Sequence, residues 1–485
     1  MDLLDRRTSL GLALLGLGVH VALRIVAGLW GAMGTDAALW GLTAMDLRVG
    51  APPLVPPGYP ALVAVGTLLG ALPVTAGWCI SLTCAALLPA AGFLAARAAG
   101  ADRRAATVGA IAILALPDAG LWAQQVQPDA LAALGLVGLA GALTAAARGS
   151  ARWAWVAAVV AGLLPLVREH GTPAAALAIL VLLWLRAWGP VGAAVAAWWL
   201  GPVVVGVLPG AHPGDVPWAA RSAGAIAALT TTDPSDVPYV RELHHEARTR
   251  YLALVMDGDT VGRIRWHLFR SLGQAWDGWL LVLAAGIGAA TARRRETLPV
   301  IALLLAALPA LLIWSQRRHV LLLAPVAIVG LVVLARGRRA TLGLAALALC
   351  GAARWPGTWI DGVRGLQSER FRAHHHARTA DWLAANTPPG SFLGGVHQEI
   401  GLYHPMPRHD PDGSAADWRT WFVGDGPPAG LPGWSRVHDA EGALDVWQLE
   451  PERDPRPCAD TRPEPDTPHL AVGLAHAELS GCSAD

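Results

Sequence analysis

Apolar stretches long enough to cross a membrane recur through the first 350 residues of this 485-residue chain. A helix needs about 20 mostly apolar residues to cross the hydrocarbon core of a bilayer. We predict such spans at 9–30, 78–97, 105–122, 128–147, 153–168, 172–188, 190–209, 276–292, 297–314, 318–336 and 340–353. The pattern therefore predicts a mainly α fold, a polytopic transmembrane helical bundle of about eleven spans over residues 1–353.

Arginine placement predicts the orientation of these spans, because short cytoplasmic loops collect Arg and the opposite loops do not. The clusters are Arg6 and Arg7; Arg97, Arg103 and Arg104; Arg148 and Arg152; Arg186; Arg293 to Arg295; and Arg336, Arg338 and Arg339. With these arginine clusters on the cytoplasmic side, the loops on the outer side are 31–77 and 210–275. A weaker apolar run at 59–75 cannot be a span in this orientation, so we expect it among juxtamembrane helices at the outer interface.

The polar residues 354–485 form a separate region that the orientation places outside the membrane. Ala373, Ala377, Ala380 and Ala384 recur at helical spacing, and SFLGGV and DVWQLE have the composition of strands. We predict a small C-terminal α/β extracytoplasmic domain. Cys458 and Cys482 lie in it, and sequence spacing leaves open whether they form a disulfide.

Composition narrows the class of protein further. Hydrophobic residues make up 54% of the chain and charged residues 15%, against roughly 25% charged in soluble domains. The formal net charge is +1, which does not indicate a nucleic-acid binder. The five cysteines form no CxxC pair and no zinc-like cluster with His.

Acidic residues are rare within the spans but recur at their outer ends. They are Asp36, Asp118, Asp129 and Glu169. Carboxylates at one face of a membrane bundle are candidate general bases or metal ligands. The alternative, for any one of them, is that loops are simply where charge is tolerated.

Three arginines are predicted on the outside, against the topological trend: Arg168, Arg317 and Arg318. Such a residue can pair with lipid phosphate at the interface, or it can bind a substrate phosphate with its planar fork of donors. His20 and Arg24 are four residues apart on the first span, so we expect both to point into the bundle, as pairing partners or as site residues.

The order of these segments resembles the C-type membrane glycosyltransferases, which include protein O-mannosyltransferases and aminoarabinose transferases. The resemblance is carried by TDAALWGLTAMDL around Asp36 with APPLVPPGYPALVA, QPDALAALG around Asp129, LVREHG around Arg168, QRRHVLLLAPVAIVGLVVLA, and HHHARTADWLAANTPPGSFLGG in the tail. It extends over nearly the whole chain. One departure is that Asp36 is followed by Ala37 and Ala38, although the family's first loop often carries a paired acid.

The resemblance implies an inner-membrane enzyme that moves a sugar from a polyprenyl-phosphate-linked donor to a glycolipid, glycan or protein acceptor at the periplasmic face. It implies catalytic roles for Asp36 and Asp129, and substrate binding by Arg168, Glu169, Arg317, Arg318 and Tyr59. A divalent metal ion, if present, would be held by Asp36 and Asp129. The alternatives are a lipid-linked glycan flippase, although the middles of most spans lack charge, and a non-catalytic assembly protein.

Overall fold

A computed structural model describes the first half of the chain most fully, at residues 3–27, 56–116, 125–168 and 171–207. It also describes isolated positions at 40, 41, 44, 47 and 120, and helical residues at 298–300, 302–304, 317–334, 341–346 and 348–353. In the tail it describes residues 378–379, 381–383 and 385–386 and four strands. The side chains of 199–207, 317–321, 334 and most strand residues are not described.

The described part is mainly helical, as the sequence predicts. Its longer helices are α1 Leu3–Ala27, α2 Gly58–Leu68, α3 Pro73–Ala98, α4 Arg103–Leu114, α5 Asp129–Ala147, α6 Ala151–Val167, α7 Gly171–Trp184, α8 Trp188–Val207 and α9 Arg317–Leu334. Three segments in the described ranges are long and apolar enough to cross a membrane: Leu3–Val26, Pro73–Ala98 and Asp129–Ala147. The predicted spans at 276–292 and most of 297–314 lie outside the described residues.

Large apolar side chains lie on the outside of the bundle. On α1, Leu10 and Leu14 are 62% and 60% exposed, and on α6 Trp155 and Val159 are each half exposed. Exposure of contiguous apolar surface to water is unfavourable, whereas contact of such a surface with the hydrocarbon core of a bilayer is not. Together with the long apolar helices, this surface identifies a membrane protein.

Helix α3 packs closely between α1 and α5 because glycines face its small side chains. A Cβ atom at Gly16 of α1 would lie 2.5 Å from the Ala86 carbonyl oxygen, and one at Gly141 of α5 would lie 2.7 Å from the Ala95 Cα. Small residues of this kind let membrane helices approach at backbone distance, where dispersion contacts are most numerous. Helix α3 therefore lies in close backbone contact with both α1 and α5.

The apolar run at 59–75 divides into two helices, and this explains why it does not read as a span. Helix α2 has 11 residues, which at 1.5 Å per residue reach roughly 16 Å, about half of a bilayer core. Gly70 follows with a φ of +89°, and α3 begins at Pro73, five residues before the predicted 78. Proline favours the first position of a helix, since its fixed φ suits the helix and its missing N–H is not needed there.

Two described helices are shorter than the spans predicted for them. Helix α4 is capped by Asp102, whose carboxylate accepts from the Arg104 and Ala105 amides, and it ends at Leu114 although the predicted span reached 122. Helix α7 ends at Trp184, before the predicted 188, and Arg186 has a φ of 57°, the left-handed conformation that terminates helices. The sequence remains apolar beyond the ends of α4 and α7, so hydrophobicity alone did not predict where these helices end.

The N-terminal end of α1 is joined to the turn between α3 and α4 by a buried carboxylate. Asp5 is only 3% exposed, and its Oδ1 lies 3.1 Å from Nε of both Arg97 and Arg103. Arg97 also donates from Nη1 to the Ala101 carbonyl at 2.6 Å. The start of α1 and the Arg97 to Arg104 turn therefore lie at the same end of the bundle, as the arginine pattern predicts.

The tail contains a four-stranded sheet in the order β1-β2-β4-β3, formed by β1 Leu393–Gly395, β2 Trp421–Gly424, β3 Trp434–His438 and β4 Asp445–Leu449. Strands β1 and β2 are parallel and the other neighbours antiparallel. Strands β1 and β4 fall within the predicted SFLGGV and DVWQLE, and the helical residues from 378 to 386 fall on the predicted helix. Cys458 and Cys482 lie outside the described residues.

Candidate functional site

The candidate site is centred on an ion pair between Asp129 and Arg168. Asp129 is the first residue of α5, and Arg168 directly follows α6 with extended backbone angles. The Arg168 Nε atom lies 3.3 Å from Asp129 Oδ1, and the two side chains are only 7% and 6% exposed. The helix dipole also favours a carboxylate in the first turn of α5. The sequence singled out both residues, and the structure brings them together.

A tight turn after α6 holds the backbone of Arg168. The Gly171 amide donates to the Arg168 carbonyl oxygen at 2.8 Å, and α7 starts at once. A Cβ atom at Gly171 would overlap the Leu164 carbonyl group, so only glycine permits this close return of the chain. The turn keeps Arg168 at the end of α6, within reach of the start of α5.

Aromatic side chains form the second wall of the cluster. The Arg168 guanidinium carbon lies 5.4 Å from the centroid of the Trp40 ring, within the range of cation–π attraction. Trp40 in turn meets the ring of Tyr59 edge to face, with centroids 6.1 Å apart and an interplanar angle of 86°. Both rings are fully buried, at 1% and 0% exposure. Arg168 is thus held by a carboxylate and an aromatic face.

Hydrogen bonds continue from Tyr59 to the segment that carries Asp129. The Tyr59 hydroxyl donates to the Gly77 carbonyl at 2.8 Å and lies 3.0 Å from Ser81 Oγ. Ser81 donates to the carbonyl of Gln127 at 3.0 Å, two residues before Asp129. Burial raises the pKa of the Tyr59 hydroxyl far above its ordinary value, so this group is a neutral donor.

A second buried arginine lies on an aromatic ring beside this cluster. Arg24 of α1 has its guanidinium carbon 4.1 Å from the centroid of the Trp78 ring, and Trp78 packs against the apolar cluster that contains Trp40 and Tyr59. His20 and Arg24 are 4% and 3% exposed. The prediction that both point into the bundle is confirmed.

The contacts around Arg168 form a closed ring. Asp129 pairs with Arg168, which lies on Trp40; Trp40 meets Tyr59, Tyr59 contacts Ser81, and Ser81 binds the chain just before Asp129. A guanidinium fixed in this way offers charge-assisted donors to an anion in a site of low dielectric, and it needs little reorganisation to do so. The arrangement suits binding of a phosphate or carboxylate.

The other predicted site residues are placed only in part. Asp36, Asp118 and Glu169 lie outside the described residues, and Arg317 and Arg318 begin α9 with side chains that are not described. The hydroxyl of Tyr59 contacts protein groups, so its assignment to substrate binding stays a prediction. In the described ranges no three His, Cys, Asp or Glu side chains come together, and the cation beside Asp129 is Arg168.

Three members of the ring were not found from the sequence: Trp40, Ser81 and Gln127. Ser81 is one of several hydroxyl residues in its apolar run, where such residues commonly bond within their own helix, so its sequence carried no signal. Trp40 lies in TDAALWG, the segment that also carries Asp36, and its place in a juxtamembrane loop was the one available indication.

The fold and this cluster define a helical membrane protein with a buried acid–arginine pair at one end of its bundle. No family model matches the chain, and no curated protein matches it. Among solved structures it is similar to ArnT from Cupriavidus metallidurans bound to undecaprenyl phosphate, with 16% identity, 90% of this chain and 98% of that chain covered, and a TM-score of 0.49. It is also similar to ArnT from the same organism in the apo state, with 15% identity, 88% and 97% covered, and a TM-score of 0.49. The identities and TM-scores of these matches are too low to carry the family or the role of any residue over to this chain.

Proposed function

We propose that this protein is an integral membrane glycosyltransferase that takes a sugar from a polyprenyl-phosphate-linked donor. The observation that carries the proposal is the buried Asp129–Arg168 pair, held against Trp40 at one end of a bundle of apolar helices. A donor of this class joins a long apolar chain to a phosphate. A membrane-embedded arginine site can bind both parts at once.

In the proposed reaction, Asp36 is the general base and Arg168 binds the leaving phosphate. Asp36 takes a proton from the acceptor nucleophile as that atom attacks the anomeric carbon, and the bond from the sugar to the donor phosphate breaks with inversion. Negative charge grows on the departing phosphate, and the guanidinium of Arg168 stabilises it. Asp129 keeps that guanidinium oriented, since their side chains are already in contact. Arg317 and Arg318 are proposed to bind the same phosphate, and Glu169 and Tyr59 to border it.

The acceptor site is proposed at the periplasmic face of the inner membrane, on a glycolipid, glycan or protein. This follows from the arginine pattern, which puts the start of α1 inside and hence the end of α1 and the start of α3 outside. Support comes from the contact of Arg24 with Trp78, because these residues near the end of α1 and the start of α3 lie beside the buried pair.

A divalent cation, if the reaction uses one, would be held by Asp36 and Asp129 and would supply positive charge to the donor phosphate. The described geometry fits this less well at Asp129, because Arg168 already neutralises that carboxylate at 3.3 Å. We therefore expect undecaprenyl phosphate to bind equally well before and after EDTA treatment. Loss of binding in EDTA, with recovery in Mg²⁺, would instead support the metal site.

Titration of the purified full-length protein in nanodiscs with undecaprenyl phosphate, followed by native mass spectrometry, tests the binding step. We expect saturable binding by the wild type, a loss of tenfold or more in Arg168→Gln, and partial recovery in Arg168→Lys, which keeps the charge but not the fork. Arg104→Gln is the matched control, since Arg104 is exposed at the opposite end. Equal affinity in all four proteins would remove Arg168 from phosphate binding.

Transfer itself is tested with donors from a lipid extract of the bacterium that makes the protein. Incubation with reconstituted wild type should release free undecaprenyl phosphate from its sugar-linked form, and Asp36→Asn should release little. Binding of the lipid without any such release, across extracts supplemented with cell-envelope acceptors, would contradict transfer and favour a binding or transport role.

A further inference from the structure

The segment that carries Asp129 is fastened to α3 by one side chain that no proposed chemical step uses. Ser81 is completely buried, and its Oγ donates to the Gln127 carbonyl at 3.0 Å. The same oxygen is 3.5 Å from the Gln127 amide nitrogen, which donates to it. One hydroxyl therefore contacts both polar groups of one backbone residue, and Asp129 starts α5 two residues later.

Tyr59 reinforces this attachment from α2. Its hydroxyl is 3.0 Å from Ser81 Oγ and 2.8 Å from the Gly77 carbonyl, so it joins α2 to the same turn of α3. The two hydroxyls have two hydrogens for three oxygen contacts: Ser81 to Gln127, Tyr59 to Gly77, and Tyr59 to Ser81. Because Ser81 donates its hydroxyl hydrogen to the Gln127 carbonyl, the hydroxyl hydrogen of Tyr59 is shared between the Gly77 carbonyl and Ser81 Oγ.

We infer that Ser81 is a positioning residue, which sets the location of the Asp129 carboxylate and through it the orientation of the Arg168 guanidinium. The route is short: Ser81 fixes Gln127, the backbone passes through Pro128, and Asp129 meets Arg168 at 3.3 Å. Pro128 strengthens the coupling because its ring restricts φ, so movement at Gln127 is passed to Asp129 rather than absorbed between them. The inference that this affects lipid binding rests on the proposed function.

Thr144 provides a matched control on the same helix as Asp129. It is also fully buried, but its hydroxyl donates to the Ala140 carbonyl of its own helix at 2.7 Å and so connects no second element. Ser81→Ala and Thr144→Val each remove one buried hydroxyl. If Ser81 only stabilised the fold, Ser81→Ala and Thr144→Val would have similar effects in both measurements described below.

The first measurement does not depend on any ligand. Thermal midpoints of the purified full-length protein are compared in two backgrounds, the wild type and Asp129→Asn with Arg168→Gln. We expect Ser81→Ala to lower the midpoint clearly in the wild type and by less than half as much when the pair is absent, whereas Thr144→Val should have equal effects in both. Equal effects of Ser81→Ala in the two backgrounds would overturn the inference, whether or not the protein binds a polyprenyl phosphate.

The second measurement is the affinity for undecaprenyl phosphate in nanodiscs. We expect Ser81→Ala to weaken it about three- to tenfold, the effect of one hydrogen bond, and Thr144→Val to leave it unchanged. Ser81→Cys keeps the volume and a weak donor, so its affinity should fall between those of Ser81→Ala and the wild type. Wild-type affinity in Ser81→Ala would overturn the positioning role, whereas absence of binding by the wild type would contradict the proposed function alone.

Discussion

Asp129 and Arg168 belong to opposite ends of two consecutive helices, and their side chains meet 3.3 Å apart inside the bundle. The geometry follows from the chain path. Helices α5 and α6 are joined by a short turn at Gly149 and run antiparallel, so the start of one lies beside the end of the other. Two charges that each appear costly in an apolar environment thus stabilise each other.

The first prediction concerns this pair. Replacing either member alone leaves a buried charge without its counterion, so Asp129→Asn or Arg168→Gln should each reduce the free energy of unfolding by about 3–5 kcal/mol. The double variant should lose less free energy of unfolding than the two single variants lose together. Thermal or denaturant unfolding in detergent measures this, with exposed Arg104→Gln as the neutral control. Strictly additive losses would show that the two residues do not interact.

The second prediction concerns Gly77, which lies under the Tyr59 hydroxyl. A Cβ atom there would come within 2.5 Å of Val126 Cγ1 and 3.1 Å of the hydroxyl oxygen. Gly77→Ala should therefore destabilise the protein by about 1–3 kcal/mol through overpacking. Gly138→Ala on α5 is the control, because its Cβ meets nothing within 4 Å and alanine favours the helix by up to about 1 kcal/mol. The idea fails if both variants unfold at the same temperature.

The sequence indicated the charged members of the site and the general architecture, but not the contacts that organise the site. Asp129 and Arg168 stood out because charge is rare near apolar spans, and His20 and Arg24 because their spacing places them on one helix face. Ser81 and Trp40 could not be selected, since their roles depend on which helices pack together. Strands β2 and β3 were also missed: they are four and five residues long, and glycine- and proline-rich segments that read as loops surround them.

The third prediction concerns Asp36, the proposed base. Asp36→Asn keeps the shape of the side chain but cannot accept the proton, so turnover should fall on the order of a hundredfold or more, while affinity for undecaprenyl phosphate changes little. Asp46→Asn is the matched control in the same loop and should retain most activity. Near-normal turnover by Asp36→Asn would remove this residue from the mechanism. A collapse confined to Asp129→Asn would then transfer the base role to Asp129.

The fourth prediction concerns the orientation that the arginine clusters predict. In a variant whose native cysteines are replaced by serine, single cysteines are introduced at Gly50, Ser414 or Gly337. A membrane-impermeant maleimide added outside the inner membrane should label the first two, because the arginine pattern predicts both on the outer side, and should spare the third. Labelling at Gly337 in intact cells would reverse the topology and move the proposed acceptor site to the cytoplasm.

Helices α1 and α3 are attached to each other at three levels: Asp5 with Arg97, Gly16 against Ala86, and Arg24 over Trp78. The outer two contacts are separated by roughly 28 Å along α1. Sliding by a single residue would break the ion pair and drive the Ala86 carbonyl into the side chain next to Gly16, so these contacts fix the register of the two helices. If the protein binds the proposed polyprenyl donor, the apolar tail of that lipid should therefore enter between other helices and not by separation of α1 and α3.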